Sequence, residues 1–194
     1  FLLTKKSKKL GLFLGITGSY MNADDAIYTN FADYFIEEKC WNDTKLKLIK
    51  TGDTSFLDNF KKENLKSFYK ENLQLIHDVF SLSDLSLILA EMARYQEFDS
   101  SLIKLKKSSP LSVLTCFYML QMPEVSKSVK ESLKIEYRFT SRAQEYSDFQ
   151  EGIRSMIVDK DKKPFWKYQN IEEVPKEEVF NLLKPLKSQN ELSF

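Results

Sequence analysis

At 194 residues, 42% hydrophobic and 13% aromatic, the chain carries enough apolar material for one folded domain or for one part of a larger fold. Its 29 basic side chains nearly cancel its 28 acidic ones, which argues against a nucleic-acid-binding field or a funnel for acidic substrates. Glycine and proline number only 5 each, while Lys, Glu, Leu and Phe are plentiful, so a mostly helical protein is expected. Cys40 and Cys116 lie far apart and outside any C-x-x-C pattern, and read as buried thiols in a reducing compartment. No apolar run approaches the roughly 20 residues of a membrane span, and no signal-peptide pattern is visible. The first residue is Phe1 rather than Met, an opening expected of a piece of a longer protein.

Residues 5–18 place Leu10, Phe13, Leu14 and Thr17 at helical spacing and predict an amphipathic helix ended by Gly18. Asn22 with Asp25 has the form of a capping box opening a second short helix. Asn30 follows it as a candidate left-handed residue. Ala32–Ile36 is apolar and short enough for a strand or a buried extended link. Another helix is expected over Glu37–Lys50, broken by Thr51–Asp53. Phe60, Leu65, Phe68, Tyr69, Leu73, Ile76, Val79 and Phe80 then line one face of a long amphipathic helix.

Ser81–Asp84 reads as turn and cap, and Leu85, Ile88, Leu89 and Met92 as a further helix. Ser109 caps a helix with Pro110 at its first position, and Pro123 ends or kinks it. Val125, Val129, Leu133 and Tyr137 repeat at i+4 as the seam of a helix reaching toward Tyr146. Asp148 and Glu151 form another capping-box pattern, starting a helix through about Val158. A loop at 159–163 and a last helix near Lys176–Leu183 complete the chain.

Chemistry-bearing residues are sparse. His77 is the one histidine, with no nucleophile's turn near it in sequence, and reads as a surface or boundary residue. One His and two distant Cys fail zinc-ligand spacing, so no metal is expected. Neither G-x-x-x-x-G-K-[ST] nor G-x-G-x-x-G occurs. Lys5, Lys6, Lys8, Lys9 and Lys104, Lys106, Lys107 read first as solvated faces, and second as contacts for phosphate or an acidic partner. Glu151 and Asp159 are the carboxylates most suited to acid–base work, yet helix capping and a turn explain them as well. Arg138 and Arg142, one turn apart, suit pairing with an acidic group such as Glu151.

Three motifs carry more: Glu136-Tyr-Arg138, then Asp148-Phe-Gln-Glu-Gly-Ile-Arg154, then Asp159-Lys-Asp161 with Pro164-x-Trp166. Together they resemble the C-terminal part of the 3-hydroxyisobutyryl-CoA hydrolases, a branch of the enoyl-CoA hydratase/isomerase (crotonase) superfamily. The opening LGLFLGITGSYMNADDAIYTNFADYFI is similar to a run generic to that superfamily, with Asn30-Phe31 standing where Gly-Leu is usual. The long stretch between Glu37 and Lys107 also suits the hydrolase branch.

The resemblance implies a mainly α region of a crotonase-like fold with at most one or two short strands, its ββα-spiral core lying upstream. Residues 1–36 would end that core, 37–107 form a helical insertion, and 108–194 carry the family motifs. It implies hydrolysis of 3-hydroxyisobutyryl-CoA in valine breakdown, with coenzyme A present as the substrate thioester and no cofactor. The family's oxyanion-hole and catalytic segments match positions before Phe1, so no catalytic residue is expected in this chain, which alone should be inactive. Lys160 falls near the superfamily's Lys before Pro-x-Phe and is the candidate coenzyme A contact. Phe165 and Trp166 are expected to pack. The missing N-terminal half, acyl-CoA and further copies of the chain are the implied partners, with no nucleic acid and no membrane. The compartment would be the cytoplasm in a bacterium or the mitochondrial matrix in a eukaryote. Open alternatives are a catalytically inactive relative serving as a scaffold, and an enoyl-CoA hydratase or isomerase.

Overall fold

The computed structural model describes residues 1–187 and 190–194. Its helices in chain order are α1 (Lys8–Thr17), α2 (Ala23–Tyr28), α3 (Trp41–Thr51), α4 (Phe68–Glu71), α5 (Leu73–Val79), α6 (Leu85–Met92), α7 (Asp99–Leu105), α8 (Pro110–Gln121), α9 (Pro123–Lys127), α10 (Val129–Tyr146), α11 (Phe149–Ile153) and α12 (Lys176–Leu183). Short 3-10 turns at Glu38–Cys40, Ser55–Phe60, Gln96–Phe98 and Ile171–Glu173 link them, and a π turn at Arg154–Val158 extends α11. The chain divides into two compact units, residues 20–73 and residues 1–19 with 74–194.

In the larger unit α1 packs against α7 and α8, and α12 packs against α8 and α10. Ser7 caps α1 by accepting from the Leu10 N–H, and Gly18 closes it at φ +54 with its N–H on the Leu14 carbonyl. The apolar spacing of α1 delivers Leu10, Phe13, Leu14 and Ile16 to the core. Phe13 meets Phe80 edge-on at 5.4 Å between ring centres and Phe98 at 5.6 Å. α8 begins as its sequence suggests: Ser109 accepts from the Ser112 N–H and Pro110 fills the first position.

In the smaller unit the Asn22–Asp25 capping box forms reciprocally, at 2.8 Å and 3.1 Å. Asp25, buried, also accepts from the Ser67 hydroxyl at 2.7 Å, and Ser67 in turn caps α4. Asn30 adopts φ +64, the left-handed conformation its side chain tolerates.

Three expectations need correction. No strand occurs among the described residues, so Ala32–Ile36 is an irregular link with a bend at Asp33 and the fold class has no strand component here. The Phe31 and Ala32 N–H groups both turn to the Ala26 carbonyl, and the Ile36 carbonyl takes the Trp41 indole N–H. Groups that a ladder would use are spent on local closure. The long helix over 60–80 is instead a 3-10 turn, a non-helical stretch and the short α4 and α5. Asp24 accepts from the Lys66 N–H at 3.0 Å, and Ser67 starts a new cap, so tertiary bonds interrupt the periodicity.

The seam at 125–146 also splits. Ser128 is extended (φ −160) and restarts the helix by accepting from the Glu131 N–H. Val125 is buried on α9, while Val129, Leu133 and Tyr137 of α10 face outward and Ser132, Ile135 and Ala143 face in.

Candidate functional site

The motif-bearing segment 148–167 folds into a clasp around Arg154. Arg154 follows Glu151 by one turn and receives its carboxylate in a two-pronged pair, Nε–Oε2 at 2.9 Å and Nη2–Oε1 at 2.7 Å. After the π turn the chain doubles back. Nη1 donates to Asp159 at 2.6 Å and to Asp161 at 2.7 Å, and Nη2 reaches the Lys163 carbonyl. A planar guanidinium with five donors is suited to gathering several acceptors in this way. Glu151 Oε1 also accepts from the Phe165 N–H at 2.7 Å, and Asp161 from the Lys163 N–H at 2.8 Å.

The far end of the clasp is anchored by Asp148, 7% exposed. Its carboxylate accepts from the Ser109 hydroxyl at 2.5 Å and the Lys167 N–H at 2.9 Å. The N-terminus of α8, the start of α11 and the bent run after Trp166 are thereby tied together. Trp166 lies over Gly152, where a Cβ would sit 3.6 Å from the ring, and its indole donates to the Lys107 carbonyl at 3.2 Å. The expected capping box is therefore not formed: Asp148 makes no side-chain cap, and Glu151 serves Arg154 and the loop.

Hydrogen bonding to Arg154, then to the Phe165 N–H, holds the Glu151 carboxyl down to about 2. Arg154 also lowers Asp161, with the Lys163 N–H second. The three carboxylates in turn raise Arg154, Glu151 most. A depressed carboxylate stabilises the fold above its unfolded value near ~4.3, and that contribution fades as pH falls through the folded value. The Glu151 carboxyl, followed by NMR, should titrate near pH 2, and Glu151→Gln should remove the stability slope between about pH 4.3 and pH 2. A midpoint near ~4.3 would contradict the clasp.

Lys160 stands on the outside of this loop, exposed, at φ +57, and Lys162 shares that left-handed conformation. Two non-glycine residues in that region carry backbone strain. The Arg154 network and the Lys162 N–H on the Ser155 carbonyl offset it. Asp159 joins Glu151 on one guanidinium, an ion-paired arrangement rather than an acid–base pair with separated roles. Phe165 is 79% exposed, whereas Trp166 packs.

Arg138 and Arg142 do not meet Glu151. Arg138 pairs with Glu191 at 2.7 Å, and Arg142 donates to the Leu182, Lys184 and Pro185 carbonyls, closing the end of α12.

His77 bonds through Nε2 to the Ser7 hydroxyl at 2.8 Å. That hydroxyl is already the cap of α1, so the pair serves the helix start. Burial pushes the Cys116 thiol up to about 11, a protonated and unreactive state. Among the described residues no group of three or more His, Cys, Asp or Glu could hold a metal ion, and no helix is long and apolar enough to cross a membrane.

The enoyl-CoA hydratase/isomerase family model matches residues 1–183. The chain belongs to the enoyl-CoA hydratase/isomerase family. Among curated relatives of this family member, the mitochondrial 3-hydroxyisobutyryl-CoA hydrolase of Dictyostelium discoideum is 27% identical over the whole chain and 54% of its own length. The human protein of the same name is 29% identical over 97% of the chain and 52% of its own length. The chain thus spans about half the length of the curated relatives it matches.

Among solved structures, an enoyl-CoA hydratase from Rhodobacter sphaeroides superposes on the full chain with a TM-score of 0.89 at 34% identity, the chain covering 56% of it. A carnitinyl-CoA dehydratase from Mycobacterium thermoresistibile, at 23% identity, gives 0.87 and shares the fold.

Sequence reading quoted the motifs but missed Arg154 as their common centre. Its signal was available: an acidic residue one turn before an Arg, and two more acids five and seven residues after it.

Proposed function

We propose that this chain is the C-terminal region of an acyl-CoA thioester hydrolase acting on 3-hydroxyisobutyryl-CoA, releasing 3-hydroxyisobutyrate and coenzyme A with one water. The observation that carries this reading is the joining of the EYR, DFQEGIR and DKD…P.W motifs to relatives named for that reaction across the whole chain. In this reading the thioester oxyanion is held, and the water activated, by groups in the half of the relatives' length that the chain does not span. Residues 1–194 supply the scaffold that covers that half, and they should not turn over alone. Preorganised donors for the oxyanion are often the largest catalytic contribution, so their absence leaves little to measure.

Lys160 is the residue of this chain assigned to coenzyme A. Its left-handed backbone projects an ammonium from a loop fixed by Arg154. In the polypeptide carrying both halves, Lys160→Ala should raise KM severalfold and leave kcat unchanged. An unchanged KM removes Lys160 from the coenzyme A contacts.

The 34% identity to a protein described as an enoyl-CoA hydratase favours a second reading, hydration of an enoyl-CoA. Free-thiol release from 3-hydroxyisobutyryl-CoA, measured beside loss of enoyl absorbance, separates the two. Thiol release without hydration supports the hydrolase, and hydration without thiol release supports the hydratase.

A further inference from the structure

Lysine is a costly residue for the left-handed conformation that Lys160 and Lys162 adopt, each at φ +57. Glycine enters that region freely, and Asn or Asp more readily than lysine. Such strain persists only where the surroundings over-determine the backbone, and it gathers where a side chain must be aimed. Around residues 159–163 those surroundings are explicit. The π turn at Arg154–Val158 stacks residue i+5 on residue i. Asp159 is thereby returned to Arg154 twice: its N–H donates to the Arg154 carbonyl at 2.8 Å, and its carboxylate accepts from Nη1 at 2.6 Å. Asp161 accepts from the same Nη1, the Lys162 N–H donates to the Ser155 carbonyl, and the Lys163 carbonyl accepts from Nη2. Lys160 lies exposed between the two acids that share Nη1.

Arg154 is itself set from its other edge. Glu151 takes Nε and Nη2, and the guanidinium carbon lies 5.8 Å from the centre of the Phe165 ring. A guanidinium has five N–H donors, and Arg154 makes five hydrogen bonds within the clasp. It has no donor left for a phosphate, so any effect on a ligand passes through the loop it holds. Lysine could not take its place, because an ammonium offers three donors from one point where the acceptors here surround a plane.

We infer that Arg154 is a positioning residue for coenzyme A: it holds the loop in the strained form that aims the Lys160 ammonium at the ligand's phosphates. This rests on the reading that Lys160 contacts coenzyme A.

The test is a double-mutant cycle in the polypeptide carrying both halves, read as the Kd for coenzyme A by titration calorimetry. Arg154→Lys is expected to weaken binding severalfold, as Lys160→Ala does, and to weaken it no further when the two are combined. Asp161→Asn, which disturbs one of the five bonds at an exposed position, covers the case in which Arg154→Lys does not fold. It should give a smaller loss that likewise vanishes beside Lys160→Ala. Equal losses with and without the Lys160 side chain would overturn the inference, because a clasp that serves stability alone is blind to that side chain. Weakening by Lys160→Ala but by neither clasp variant would also overturn it, and would leave the coenzyme A contact standing. A Kd unchanged by Lys160→Ala removes the contact and the inference with it. Free-thiol release from 3-hydroxyisobutyryl-CoA on the same samples reports the hydrolase reading separately. The expected Kd pattern without hydrolysis keeps the role of Arg154 and removes the reaction.

Discussion

Phe13→Ala is expected to destabilise the larger unit by about 3–5 kcal/mol, the range for deleting a buried phenylalanine whose cavity cannot fully collapse. Phe13 is fully buried and holds both Phe80 and Phe98 by ring contacts. Phe13 and these two neighbours come from three different places along the chain, so neither neighbour can close the gap without shifting the segment that carries it. Against a typical total of about 5–15 kcal/mol, that loss is a large share. It should appear as a melting midpoint lower by about 10 °C, taking ~2–4 °C per kcal/mol for a chain of this size. Phe165→Ala provides the contrast. At 79% exposed, its removal should change the stability of residues 1–194 by no more than about 0.5 kcal/mol. Equal losses at both positions would contradict the assignment of the core.

Asp148→Ala should cost about 3 kcal/mol, since a buried carboxylate accepting two hydrogen bonds contributes roughly 1.5–3 kcal/mol through each such bond. Ser109 would keep its cap on α8 but lose its acceptor, and the Lys167 N–H would lose its partner. The effect should be local as well as global, with Trp166 leaving its place over Gly152. Trp166 fluorescence in a Trp41→Phe background reads that step directly. Asp148→Asn retains an acceptor oxygen and should recover part of the loss. An Asn variant as damaged as the Ala variant would show that charge, rather than geometry, holds the joint.

Much of the helical content was legible because it rests on local chemistry. The apolar spacing from Leu10 to Thr17, the Ser109–Pro110 start and the Asn22–Asp25 box all depend on residues within one turn of each other. The failures share a different cause. The helix expected over 60–80 is cut where Asp24 captures the Lys66 N–H, 42 residues away in sequence. The strand expected at Ala32–Ile36 had the right composition, but its backbone groups were claimed by Ala26 and Trp41.

The candidate site shows the same division. Glu151 three positions after a helix-capping type of residue, Asp148, suggests a box, and only the return of residues 159–166 turns it into the partner of Arg154. Spacing alone could place these acids near one another and could not say that one guanidinium sits among them.

The most direct test of the account is thioester hydrolysis measured on residues 1–194 alone and on the polypeptide carrying both halves, with 3-hydroxyisobutyryl-CoA as substrate. The account predicts no free-thiol release above background from residues 1–194 and clear turnover from the longer polypeptide. Turnover by residues 1–194 alone would contradict it and would put the catalytic groups within this chain.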